Sequence, residues 1–243
     1  GYTLGAAAGE TAIVSGAAVD AGGAVTYTLT GAGKAGDSVT LPVTISSARY
    51  EDAAVNVVIT LLPRDEQAAL RVTGGTTVVY GETLQLGTSG GSGTGAVTYT
   101  VTEINGKATI DANGVLTPVQ VGAVTVTATK AGDDAYNDVT SAAVTININK
   151  ATPTGKPNYK QVTGRGKTLK DAALTIEGGS LSLKDGTLEW VDKDGNVLPD
   201  DTVIEANKSY FWHFTPADGN YTDITSSEPI KLYSPAEEDT GHG

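Results

Sequence analysis

The sequence predicts an all-β protein built from small antiparallel β-sandwiches in series, and three observations lead there. The first is composition: in 243 residues, Gly occurs 31 times, Phe and Trp twice each, and Met and Cys not at all. The apolar runs are filled instead with Val, Thr, Ile and Ala, which suit a pleated, half-buried surface. The second is a segment that occurs three times, as Ser47-Ala48-Arg49-Tyr50-Glu51-Asp52, Asp134-Ala135-Tyr136-Asn137-Asp138 and Gly219-Asn220-Tyr221-Thr222-Asp223. Its tyrosines are separated by 86 residues, from 50 to 136, and by 85, from 136 to 221. A period of that size marks repeated structural units. The third is that each unit holds several short alternating runs with a turn signal roughly every 8 to 12 residues, the pattern of a sandwich.

The tyrosines set the unit boundaries at 1–64, 65–149 and 150–233, with 234–243 left as an acidic linker. Each tyrosine lies between two strand-like runs. Before it come 38–45, 123–129 and 209–215; after it come 54–62, 142–148 and 230–233. The middle unit is the most legible, with strands expected at 70–72, 83–86, 96–102, 108–110, 115–117, 123–129 and 142–148. Asn113-Gly114 predicts a type I′ hairpin turn. The Gly87 to Gly95 stretch predicts a flexible loop tip. The first unit has room for fewer strands than the others, so its opening strand or strands are expected to be missing.

The run Ala108-Thr109-Ile110-Asp111-Ala112-Asn113-Gly114-Val115-Leu116-Thr117, followed by Gly122-Ala123-Val124-Thr125-Val126-Thr127-Ala128, resembles the signature of bacterial immunoglobulin-like (Big) domains. The third unit, with Glu189-Trp190-Val191 and Tyr210-Phe211-Trp212-His213-Phe214-Thr215-Pro216 leading into Tyr221, looks like related modules in surface proteins of Gram-positive gut bacteria. The resemblance implies tandem immunoglobulin-like antiparallel sandwiches in an elongated array, extracellular and at the cell surface or secreted.

Charge and residue types narrow the function. The formal net charge is −12, from 28 acidic and 16 basic residues, which would repel a phosphate backbone and argues against nucleic acid. No run of roughly 20 apolar residues is present, so no membrane-inserting helix is expected. Without thiols there is neither a disulfide framework nor a cysteine nucleophile. The two histidines, His213 and His242, have no partner motif, so no enzyme activity, catalytic residue or cofactor is expected.

Four features invite a functional reading. Asp192, Asp194 and Asn196 resemble the start of a calcium loop, but position 12 is Val203 and a plain hairpin turn explains the same residues. Asp133-Asp134 with Asn137-Asp138 is a second acid cluster that a solvated loop explains equally well. Tyr50, Tyr136 and Tyr221 read as structural repeat markers, each ring expected to pack into its core with the hydroxyl on loop backbone. Alternation puts Tyr210, Trp212 and Phe214 in a core with Trp190, leaving Phe211 and His213 outward as candidate binding residues. Asn207-Lys208-Ser209 and Asn220-Tyr221-Thr222 match the glycosylation sequon by chance spacing and receive no role. The expectation is a non-catalytic adhesion segment contacting a host protein, immunoglobulin included. A structural stalk displaying another domain is one alternative. The other is a carbohydrate-binding accessory module whose partner is a glycan.

Overall fold

The computed structural model describes residues 1–234. The expected acidic linker at 234–243, and His242 with it, lies outside the described residues apart from Ser234. The described chain is all-β, with two short 3-10 turns at Thr11–Ile13 and Leu169–Ala172, and its paired strands are mainly antiparallel. No described helix is long and apolar enough to cross a membrane. Packing divides the described chain into two compact units: residues 1–68 with 91–96 and 131–139, and residues 69–90 and 97–130 with the described residues from 140 onward. Three separate apolar cores form along it.

The middle core lies between two sheets. One runs in the order Val97–Glu103, Gly122–Lys130, Val144–Asn149 and Thr77–Val79; the other in the order Lys107–Ile110, Val115–Gln120, Leu84–Ser89 and Arg71–Gly74. Period-two alternation sends Val124 and Val126 inward from one strand, with Ile146 and Ile148 from its neighbour. Leu86, Ala108 and Leu116 meet them from the opposite sheet, and Leu116, Val124, Val126 and Ile146 are fully enclosed. This is an immunoglobulin-like sandwich. Two short strands that the alternation did not reveal are Val139–Thr140 and Thr77–Val79; the latter pairs parallel to Val144–Asn149 and seals its edge.

The third core is aromatic, as expected. Trp190, Tyr210, Trp212 and Phe214 are buried together, with Leu169, Leu181 and Leu232. The Trp190 indole N–H donates to the Ala172 carbonyl at 3.0 Å, and its ring meets Tyr159 and Tyr210 edge-on at 5.6 and 6.5 Å. Its sheets are short: Gly186–Val191, Phe211–Pro216 and Ile224–Thr225 in one, Val162–Thr163 parallel to Tyr233–Ser234 in the other.

The first core is the smallest, with Ile13, Val39, Leu41 and Ile59 as its buried members among the described residues. Ser38–Ser47 is the central strand, with Tyr50–Thr60 on one side and Tyr2–Leu4 and Ala8–Gly9 on the other. The break between those two short strands falls beside Pro42, whose ring nitrogen has no proton to donate to the ladder.

Two local expectations need correction. Every described non-glycine residue has negative φ, so Asn113-Gly114 is not a type I′ turn. Asp111 caps the turn instead, as described below, which lengthens the loop by one residue. The Gly87–Gly95 stretch is not a free tip either. Leu84–Ser89 continues as strand into it, and the Ser92 and Thr94 amides donate to Gln67 Oε1 and Asp133 Oδ2 at 2.9 and 2.7 Å.

Candidate functional site

The feature that recurs with the same geometry is where the chain passes from one core to the next. In the first of these places the Asp65 N–H donates to the Ala135 carbonyl at 2.8 Å, and the Asp65 carbonyl accepts from the Asn137 N–H at 2.9 Å. In the second, Ala151 does the same with Asn220 and Thr222 at 3.0 and 2.8 Å. Each linking residue therefore forms a parallel bridge to the repeat tyrosine, Asp65 to Tyr136 and Ala151 to Tyr221. The clamp is made by backbone groups, which explains why the flanking side chains differ between repeats.

The tyrosine loop is shaped for this by an aspartate three residues ahead. Asp133 Oδ1 accepts from the Ala135 and Tyr136 amides, both at 3.0 Å, and Asp218 Oδ1 accepts from the Asn220 amide at 2.9 Å. These Asx turns tighten the chain so that the carbonyl before the tyrosine and the amide after it both face the linker. The amides of Thr94 and Ala135 hold the Asp133 carboxyl below the ordinary aspartate range. The acid cluster at 133–138 is thus a hydrogen-bonded turn.

Side chains reinforce each clamp differently. Beside Asp65, the buried Gln67 donates to the Ala131 and Asn137 carbonyls at 3.1 and 2.7 Å, and Asn137 Nδ2 donates to Glu66 Oε1 at 2.9 Å. Near Ala151, Asn220 Oδ1 accepts from the Val121 amide at 2.8 Å, and the Tyr221 ring meets Tyr80 edge-on at 5.5 Å. Gln67 and Asn220 escaped sequence reading. A buried amide side chain has no local sequence signature, and Asn220 was visible only as a member of the repeat segment and of a chance sequon, with no contact assigned to it.

The tyrosines themselves do not pack into cores. Tyr136 and Tyr221 are half-buried and belong to none of the core clusters, because the backbone clamp holds each tyrosine against its linking residue. Tyr50 is 79% exposed and stands opposite Ser47 at the tip of a hairpin. Among the described residues no linking residue bridges to it.

The calcium-like residues belong to a second repeated device. In Asp20-Ala21-Gly22-Gly23, Asp111-Ala112-Asn113-Gly114 and Asp192-Lys193-Asp194-Gly195, the aspartate Oδ1 accepts from the amides two and four residues on, at 2.8 to 2.9 Å. In all three the glycine amide returns to the aspartate carbonyl at 3.1 Å, with glycine φ between +81° and +87°. Asp192 Oδ2 also accepts from Asn196 Nδ2 at 2.9 Å, and Asp194 pairs with Lys193. Both Asp192 oxygens are engaged in turn formation, chiefly with Asn196, and this keeps its carboxyl below the ordinary range. Among the described residues no three His, Cys, Asp or Glu side chains group to hold a metal ion.

Phe211 and His213 face away from the core as alternation requires, but both are half-covered. His213 Nδ1 lies 2.8 Å from Thr225 Oγ1, and Nε2 lies 3.4 Å from Asp223 Oδ2, the motif's own acid. Trp190 is 4% exposed, so it cannot serve as a sugar platform.

No known protein family matches the chain, and no curated protein does. Among solved structures, human CDH23 EC21-23 is similar at 15% identity over 96% of this chain and 89% of that one, with a TM-score of 0.33. Drosophila N-cadherin EC1-4 is similar at 11% identity over 90% of this chain and 64% of that one, with a TM-score of 0.27. Protocadherin Gamma B2 extracellular cadherin domains 1-5 gives 12% identity over 98% of this chain and 53% of that one, with a TM-score of 0.28. Likenesses at this level carry no argument about residues or partners. The class is defined by the chain's own sheets and cores: tandem immunoglobulin-like β-sandwiches.

Proposed function

We propose that the chain is a non-catalytic, extracellular segment of adhesion type, in which sandwiches bounded near residues 65 and 150 act as spacers that hold other parts of a surface protein at set intervals. The observation that carries this is the repeated backbone clamp. A binding module needs one specialised surface, whereas a spacer needs the same joint each time, and the joint is what repeats here. A bacterial source and membership among Big-type modules belong to this proposal and rest on the Ala108 to Ala128 run.

The absence of cysteine makes the test clean. Spin labels on K107C and K184C, both exposed positions on either side of the second joint, report the distance between them. The spacer reading expects a narrow distribution that broadens in Thr222→Pro, which removes the amide donated to Ala151. A distribution equally broad in both proteins refutes it.

Contact with a host protein, immunoglobulin included, is the second reading. The half-exposed Phe211, beside His213 and Asp223, favours it as an aromatic and hydrogen-bonding surface. A pull-down from host secretions with the whole chain and with Phe211→Ala tests it. A protein retained by the first and lost by the second supports this reading; equal retention removes Phe211 from it, and retention of none leaves only the spacer.

A further inference from the structure

The two repeated devices allow the first sandwich to be aligned with the middle one strand by strand. Asp20 in the hairpin of Val14–Val19 and Val25–Leu29 corresponds to Asp111 in the hairpin of Lys107–Ile110 and Val115–Gln120. Ser38–Ser47 and Tyr50–Thr60 then correspond to Gly122–Lys130 and Val144–Asn149. In the middle sandwich both outer neighbours are present. Thr77–Val79 runs parallel to Val144–Asn149, and Leu84–Ser89 runs antiparallel to Val115–Gln120. They insert Val78 and Leu86 into the core, at 6% and 2% exposure. The third sandwich repeats the parallel closure with Val162–Thr163 against Tyr233–Ser234.

In the first sandwich both of these edges are open among the described residues. Tyr50–Thr60, eleven residues long, pairs only with Ser38–Ser47, and Val25–Leu29 pairs only with Val14–Val19. The face that should be core is left uncovered. Val25 packs on the core, yet Tyr27 and Leu29 on the same face are 43% and 54% exposed. On the other strand Ile59 is buried and Val57 half-buried, while Val55 is 50% exposed. A long, apolar, unpaired edge is a template for another strand.

We infer that the open edges of Val25–Leu29 and Tyr50–Thr60 form an acceptor for a β-strand pair of this repeat's own opening pattern. One strand enters parallel to Tyr50–Thr60 carrying a Val-sized inward residue, and the next lies antiparallel to Val25–Leu29 carrying a Leu. The occupant is polypeptide of that pattern because both other sandwiches close the corresponding edge with a parallel strand carrying a buried Val, Val78 and Val162, and the middle one adds the antiparallel strand carrying Leu86. Backbone pairing supplies the affinity, and the two inward side chains supply the register.

The test uses the full chain and a synthetic peptide with the sequence of residues 71–90, which contains Thr77–Val79 and Leu84–Ser89 together with the strand Arg71–Gly74 before them. Binding is followed by fluorescence polarisation and located by amide hydrogen exchange. The expected result is saturable binding, with new protection at residues 50–60 and 25–29. Affinity should fall at least about a hundredfold when the peptide carries Val78→Asp and Leu86→Asp, since two buried apolar contacts are lost. Putting the substitutions in the peptide leaves the acceptor's folding untouched. No binding, equal binding of the substituted peptide, or protection confined to residues 97–149 overturns the inference. Concentration-dependent self-association that protects 50–60 without peptide also overturns it, and assigns the edge to a second copy.

Discussion

The three Asp-x-x-Gly turns share one backbone path but not one environment, so the same substitution should cost different amounts in each. Gly195 has φ of +83° and an added Cβ would meet nothing within 4 Å, so Gly195→Ala costs only the left-handed strain, about 1–2 kcal/mol. Gly114 has nearly the same φ, +81°, but its Cβ would lie 2.6 Å from the Leu86 carbonyl oxygen and 3.1 Å from the Tyr99 ring. That carbonyl is held in the strand Leu84–Ser89, and the Leu86 amide donates to the Gly114 carbonyl at 2.9 Å, so the contact cannot relax locally. Overpacking adds about 1–3 kcal/mol. Gly23 is intermediate: its Cβ would meet the Tyr2 ring at 2.8 Å, and that ring is 38% exposed and free to swing aside.

Native-state amide exchange reads each sandwich separately where a single unfolding curve would merge them. Amides of Gly186–Val191 in Gly195→Ala should exchange roughly 5 to 30 times faster, each 1.4 kcal/mol being about a factor of ten. Amides of Val115–Gln120 in Gly114→Ala should accelerate at least about fivefold more than that. Equal acceleration in the two would refute the assignment of cost to the Leu86 contact.

Four further outcomes follow from the same geometry. Tyr210→Phe removes the hydroxyl that accepts from the Glu205 amide at 3.0 Å and should destabilise the third sandwich by about 1–3 kcal/mol in thermal unfolding. Trp190→Ala should cost it about 3–5 kcal/mol, whereas Phe211→Ala should cost less than about 1.5, a contrast measurable in urea. Asn220→Ala leaves the Val121 amide without its acceptor and should speed that amide's exchange while leaving the middle core's amides unchanged. The Asp133 carboxyl is depressed by the Thr94 and Ala135 amides, so its contribution is present above the unfolded aspartate value and lost as pH falls through the lower folded one. Protection at Ala135 and Tyr136 should therefore hold from neutral pH down to the ordinary aspartate range and disappear only below it, and Asp133→Asn should abolish that dependence.

How much of this was legible in the sequence follows from which physical signals are local. Alternation is local, so the inward set Tyr210, Trp212, Phe214 and Trp190, and most middle strands, could be read directly. The repeat period was legible because the tyrosine loop has a fixed length. The loop's purpose was not, because the clamp joins residues 70 or 71 positions apart through backbone atoms that every residue carries. The short strand Thr77–Val79 was missed for the same reason: three residues form a strand only because Val144–Asn149 offers an edge. Asn113-Gly114 misled because a two-residue turn and an aspartate-capped longer one share that dipeptide, and the deciding group, the Asp111 carboxylate, stands outside it. Asp192 likewise looked like a ligand because a carboxylate followed by small polar residues serves a cation and a turn amide equally.

The central claim is that each linking residue is held to the next tyrosine loop by two backbone hydrogen bonds, and amide exchange at four positions in the whole chain tests it most directly. Asp65, Asn137, Ala151 and Thr222 all donate within the clamps, so each should exchange about a hundredfold or more slowly than the amides of the open loop at Gly164 and Gly166. Exchange of all four at the rate of that loop would contradict the clamp, and with it the spacer reading built upon it.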